Sequence, residues 1–365
     1  MEGTTFFSVL GQLAEADPDR PALTCGEVTL TRAGLVERVA RLAALLAGRG
    51  VAEGSTVAIC LPNSAGLVES VFAAWALGAV PLPVSDRLPP LERSAIVDLA
   101  SPSLVVGVPQ SGAGAWPALG SVPRQLPAGS FTPGVSPVWK LVTSGGSTGR
   151  PKLIAATAPA LVENVSGLGA LTRLRSDGCV LVTGPIWHNA PFVVTAAGLL
   201  LGNHVVVMSR FDQAQTLPLI QQYRVSWLFL VPTMMLRIWR LPESVRLSAD
   251  VSSLEVAFHM AAPCPAWLKQ AWIDWLGPEK VLELYGGTEL QAMTVITGTE
   301  WLAHRGSVGR PVIGEIQIRD FDGRPVPAGA EGEIWLRRGP GAPPPYRYIG
   351  ATARGAPDGW ESLGD

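Results

Sequence analysis

The sequence predicts an α/β fold, a largely parallel sheet core followed by a β-rich unit. Two observations carry that prediction. Up to about residue 305, short apolar runs bounded by turn residues alternate with segments of helical period. Beyond that point the period switches to two, and Asp-Gly and Pro/Gly turns separate the runs. Alternation of the first kind builds βαβ units and parallel sheets, whereas the second builds antiparallel structure.

The elements follow in chain order. Residues 31–50, TRAGLVERVARLAALLAGRG, space their apolar residues for a helix and end on a glycine stop. VAICL, within 51–65, is a buried strand between turn residues, and a second helix runs through 67–77. GAVPLPV and LVVGV (104–108) are further strands, and the alternation resumes at CVLVTG (179–184), HVVVMS (204–209) and SWLFLVP (226–232). Period-two strands occupy 315–319 and 333–336, followed by GPGAPPP (339–345) as a stiff surface loop.

The chain has 365 residues, enough for two or three packed subdomains. It is 47% hydrophobic and 16% charged, which implies a large core. A formal net charge of -2 without a Lys/Arg cluster argues against a nucleic-acid partner. Cys25, Cys60, Cys179 and Cys264 are too scattered for a zinc site or a disulfide framework. The first residues lack a basic segment followed by an apolar one, and runs such as 193–201 are too short to span a bilayer, so a cytoplasmic protein is expected.

The stretch LVTSGGSTGRPK, residues 141–152, concentrates Gly, Ser and Thr ahead of Lys152 after a strand-like run. Such a loop offers backbone N–H groups, hydroxyls and a positive charge to a polyphosphate. It lacks the Gly-Lys-Ser/Thr ending of a Walker A loop, so a P-loop nucleotidase is disfavoured.

TSGGSTGRPK resembles the phosphate-binding signature of the adenylate-forming superfamily, which comprises acyl-CoA synthetases, luciferases and peptide-synthetase adenylation domains. LYGGTE (284–289), GSVGRP (306–311), DGRPVP (322–327) and DGWESLGD (358–365) resemble further motifs of that family, in its order. The resemblance spans essentially the whole chain. It implies two mainly parallel sheets packed with helices in an αβαβα arrangement, plus a small distorted antiparallel β-barrel. The expected subdomains are 1–185, 186–300 and 301–365. A hinge and a small domain carrying a catalytic lysine follow the last motif in the family. Here that C-terminal domain is absent, so the chain as given is expected to be largely inactive in adenylation.

The resemblance also implies roles. Thr143, Ser144, Gly145, Gly146, Ser147, Thr148, Gly149 and Lys152 would hold the phosphates of ATP, with Lys152 counted among the catalytic groups. Ala261, Ala262 and Gly286 would line the nucleotide, Tyr285 would stack on adenine, and Thr288 would bond the α-phosphate. Glu289 would hold Mg²⁺, a hard cation that prefers oxygen ligands, and Asp365 would bind the ribose hydroxyls. His188 would lie against the reacting carboxylate, in an acid pocket with Trp187, Asn189, Phe192, His259, Met260 and Gly287. His259 and Met260 depart from the small residues usual at their positions. Adenylation domains for amino acids carry an Asp where this chain has Trp187, His188 and Asn189. A buried ammonium without a partner is costly, so the expected substrate is a hydrophobic or aromatic acid without an α-amine.

Coenzyme A is the expected acceptor, with a carrier protein or an amine as alternatives. A non-catalytic nucleotide-binding module is the alternative of another class. No membrane partner is expected, and the chain would act as a monomer or homodimer.

Overall fold

The computed structural model describes residues 3–107, 116–143, 151–356 and 358–364. Its centre is a nine-stranded sheet. From one edge the strands are Arg310–Ile313, Met293–Thr297, Val281–Gly286, Val256–His259, Trp227–Leu230, Cys179–Val182, His204–Val207, Pro21–Cys25 and Val28–Thr31. The six inner strands, from Val281–Gly286 to Pro21–Cys25, run parallel, and the outer ones pair antiparallel. A second, four-stranded parallel sheet contains Thr56–Cys60, Val80–Pro83, Leu104–Gly107 and Ala118–Leu119.

Helices fill the space between these sheets and cover the outer face of the larger one. Ala65–Ala76 is buried at all but one of its positions and touches strands of both sheets. Asn189–Leu200 is buried at nine positions and packs on Cys179–Val182 and His204–Val207. A helix that is apolar all round belongs in a core. On the other face, Gln213–Tyr223, Pro232–Trp239 and Ala266–Leu276 pack on the sheet around Trp272, Leu228 and Leu217. Side-chain oxygens of Thr5, Thr31, Ser64, Asp212 and Thr297 accept from backbone amides at helix starts, satisfying donors that the helix leaves orphaned.

The α/β class and the two mainly parallel sheets expected from the sequence are present. The β-rich unit is a four-stranded antiparallel sheet of Glu315–Arg319, Glu333–Arg337, Glu361–Ser362 and Arg354–Gly355. That sheet is open among the described residues, so the expected barrel is corrected to a distorted sheet. The sheets also interleave along the chain. Strands within 21–31 and within 310–313 join the central sheet, which therefore crosses the boundaries at 185 and 300. Among the described residues no helix is long and apolar enough to cross a membrane.

Candidate functional site

Parallel strands deliver their following loops to one edge of the sheet, where ligands of open α/β folds bind. Cys179–Val182 leads to His188, Val256–His259 leads to Met260, Ala261 and Ala262, and Val281–Gly286 leads to Gly287, Thr288 and Glu289. The phosphate-loop ends arrive from a separate three-stranded sheet. There Thr143 pairs with Leu153 across an antiparallel ladder, so Thr143 and Lys152 flank the loop from opposite strands. Ser144, Gly145, Gly146, Ser147, Thr148, Gly149 and Asp365 lie outside the described residues.

Direct contacts join these pieces. The Lys140 ammonium donates to the Thr288 carbonyl at 2.8 Å. The Tyr348 hydroxyl donates to Glu289 at 2.6 Å, and Lys152 Nζ sits 4.4 Å from the centre of the Tyr348 ring, a cation–π distance. Tyr348 belongs to strand Tyr346–Ile349, which pairs with Leu153–Ala156. Tyr346 and Gln291 both donate to Glu361, anchoring the open sheet beside the same loop.

Gly287 lies close to the ends of two side chains that a Cβ would displace. A Cβ added there would lie 2.2 Å from Leu363 Cδ1 and 2.9 Å from Glu289 Oε2. Ala261 adopts φ 77°, a left-handed conformation that costs a non-glycine residue about 1–2 kcal/mol. Strain of this kind concentrates at ligand-facing turns. Ala261 and Ala262 are exposed, while Tyr285, Gly286 and Thr288 are half-buried at the end of their strand.

Glu289 is 7% exposed, and the described residues contain no cluster of three or more metal-ligating side chains. One buried carboxylate fits a Mg²⁺ that takes its remaining oxygens from nucleotide phosphates and water, rather than an all-protein cage.

An apolar pocket opens beside this edge. The helix Asn189–Leu200 contributes Asn189, Ala190, Val193, Val194 and Ala197, one stripe at helical spacing. Phe258, Met260, Leu284, Gly286, Gly287, Leu290 and Met293 face them, and Trp139, Leu168, Thr172 and Leu174 complete the wall. Asn189, Met260 and Gly287, three of the residues proposed for an acid site, line this pocket.

The other four residues expected there, Trp187, His188, Phe192 and His259, lie outside this lining. His259 alternates with Phe258 and Met260 along the chain, so its ring points to the other face of the sheet. It is fully buried there, 4.0 Å from Glu283, which Lys269 engages. Burial, reinforced by the Lys269 charge, lowers its pKa to about 3. Phe192 packs in the core, its ring centre 5.6 Å from that of Trp75. The Trp187 ring lies 3.9 Å from that of His188, tilted by 47°, and lines a different groove with Arg87, Arg210 and Arg237. His188 occupies the cap position of the pocket helix without a side-chain capping bond, is exposed, and lies outside the pocket lining.

Lys140 and Tyr348 were not singled out in the sequence. Lys140 is 1% exposed, and burial pulls its pKa down to about 7, against the opposing pull of Glu289. A methionine would keep its length and remove a buried charge. Lys140→Met is therefore expected to change thermal stability little, because the desolvation cost that disappears is offset by the hydrogen bond lost at Thr288 and the partner charge lost near Glu289. Loss of a charged hydrogen bond to the Thr288 loop should nonetheless weaken AMP binding about tenfold. Scanning and titration calorimetry check the two halves, and an unchanged AMP affinity would return Lys140 to a purely structural role.

Comparison with known proteins gives a consistent picture. A family model described as AMP-binding enzyme matches residues 11–129 and 137–346. A feruloyl-CoA synthase of an Amycolatopsis species is 32% identical over 376 residues, covering 96% of this chain and 74% of the relative. An indoleacetate–CoA ligase of Aromatoleum aromaticum is 30% identical, with coverage of 96% and 74%. Among solved structures, the inhibitor-bound N-terminal domain of FACL13 from Mycobacterium tuberculosis superposes with a TM-score of 0.81 at 22% identity, over 99% of this chain and 96% of that one. The o-succinylbenzoate CoA synthetase of Bacillus subtilis, solved with its acyl-adenylate intermediate, gives 0.82 at 22% identity, over 100% and 76%. At such identities the two structures speak for the fold.

Proposed function

The chain belongs to the AMP-binding enzyme family, a family of ATP-dependent acid ligases, and from that membership we propose that it activates a hydrophobic or aromatic carboxylic acid without an α-amine and passes the acyl group to coenzyme A. The observation that carries this reading is the apolar pocket, whose wall ends on Gly286 and Gly287 immediately before Thr288. None of its lining residues among those described is acidic, so an α-ammonium would find no carboxylate among them. Relatives named for feruloyl and indoleacetyl substrates support an aryl acid.

In this reading the acid lies along the helix Asn189–Leu200, with its carboxylate toward His188 and Thr288. The carboxylate oxygen bonds to the α-phosphorus of ATP while the bond to pyrophosphate breaks. Thr288 donates to the α-phosphate, Tyr285 stacks on the adenine, and Lys152 draws the departing phosphates toward the loop that follows Thr143. A bound Mg²⁺ supplies charge neutralisation on the phosphates. Tyr348 holds Glu289 in place through its hydroxyl, and Lys140 holds the Thr288 carbonyl. The coenzyme A thiol then attacks the acyl carbon and releases AMP.

The test supplies the product of the full-length reading frame with Mg²⁺-ATP, coenzyme A and a matched pair of acids, an aryl-substituted amino acid and its deaminated counterpart. The deaminated acid is expected to release pyrophosphate and form the thioester, and the amino acid to do neither at a comparable rate. Equal turnover of the pair would sink the substrate reading. Thioester formation on a phosphopantetheinylated carrier protein, with none on coenzyme A, would reassign the acceptor.

A further inference from the structure

We propose that Asn189 selects acids that carry a hydrogen-bond donor, a hydroxyl or N–H group, on the part of the molecule that enters the pocket. The inference rests on the acid-activating reading above and narrows its substrate class. Among the described residues the pocket wall is otherwise built from Leu, Val, Ala, Met and aromatic side chains with Gly286, Gly287 and the Thr172 hydroxyl, and Asn189 supplies its side-chain amide. Its Oδ1 is shut off from solvent and takes no hydrogen bond from any described group. Buried polar atoms without a partner are rare in folded proteins because each forfeits its bonds to water.

Local structure gives no reason for the amide to be there. His188, not Asn189, occupies the cap position of the helix, and no side chain caps that end. Asn189 is the first helical residue, where an alanine or glutamate would serve the helix at least as well. The opposite wall cannot answer the amide, since Phe258, Met260 and Met293 present carbon and sulfur. The nearby hydroxyl of Thr172 is already committed to the Leu168 carbonyl. A donor on the bound acid would complete the site, and an acid lacking one would leave the orphaned oxygen in place. A site built to meet a substrate O–H or N–H rejects the analogue without it far more strongly than an apolar pocket rejects a missing methylene.

The test uses non-hydrolysable acyl-adenylate mimics of one aryl acid, unsubstituted and with a single hydroxyl at each ring position, titrated calorimetrically into the protein. At least one hydroxyl isomer is expected to bind about tenfold or more tightly than the unsubstituted mimic. Asn189→Leu, which fills the space without admitting water, should abolish that advantage and improve binding of the unsubstituted mimic. A purely structural role for the amide would weaken all mimics alike and leave their ratio unchanged. If all mimics bind wild-type protein equally, or the advantage survives in Asn189→Leu, this inference falls and the acid-activating reading stands. If no mimic binds, both fall together.

Discussion

Glu289→Gln, made in the full-length reading frame, is expected to lower the rate of Mg²⁺-ATP-dependent pyrophosphate release by about 10²–10³, the loss typical when one well-placed electrostatic group is removed from a reaction centre. Glu289 is buried, and its Oε1 accepts from Tyr348, so a fixed carboxylate is held at the end of the strand that carries Tyr285. Glutamine keeps the size and can still accept from Tyr348, so the fold should persist. It removes the negative charge that a divalent cation requires. The decisive measurement is a Mg²⁺ titration at saturating ATP and acid. A rightward shift of the metal dependence with the lowered rate supports the assignment, whereas a rate within tenfold of wild type and an unmoved metal curve would remove Glu289 from the centre.

The same carboxylate has a second neighbour in Lys152, through the ring that both share. Tyr348 presents its face to the Lys152 ammonium and its hydroxyl to Glu289. The residue at the end of the proposed phosphate loop and the carboxylate proposed to hold the metal are therefore positioned by one side chain, on a strand that pairs directly with the loop's exit. Both groups serve the same phosphates in the proposed reaction, which gives a physical reason for a single rigid ring to set their separation.

Much of this was legible in the sequence. Runs such as VAICL, CVLVTG and SWLFLVP are buried parallel strands, and their flanking turns put the loops where motifs sit. Helix Arg32–Ala47 follows its apolar spacing closely. The run 193–201 was legible only as an apolar stretch, because the helix Asn189–Leu200 is buried nearly all round and carries no polar face to set a period. Motif position also says nothing of which face of a strand a side chain takes. His259 and Met260 are adjacent, yet only Met260 reaches the pocket, since successive strand residues point to opposite sides. Lys140 was hidden for a different reason. A lysine just before a short strand reads as a solvated edge, and nothing local announces that it donates to the Thr288 carbonyl.

On the far face of the sheet, the largest stability effect is expected from Glu283→Ala, a loss of about 3–5 kcal/mol at neutral pH. Glu283 and Lys269 form an ion pair in which both residues are almost wholly buried, Glu283 at 6% and Lys269 at 1% exposure. Burial lowers the Lys269 pKa, and the hydrogen bond to Glu283 is the largest influence opposing that shift. Without the carboxylate, the ammonium must either remain charged without compensation or give up its proton, and each route costs folding free energy. His259 cannot take over, because its ring is uncharged near neutrality and has no hydrogen-bond partner of its own. Removing both partners is a different case. Glu283→Leu combined with Lys269→Met replaces two desolvated charges by apolar volume, and buried pairs replaced in this way are often neutral or more stable. Denaturant unfolding of the single and double variants reads both, with strong coupling between the sites as the expected outcome. A single-variant loss below about 1 kcal/mol, the range of an exposed pair, would show that water reaches this pair and that the helix Ala266–Leu276 does not seal the sheet.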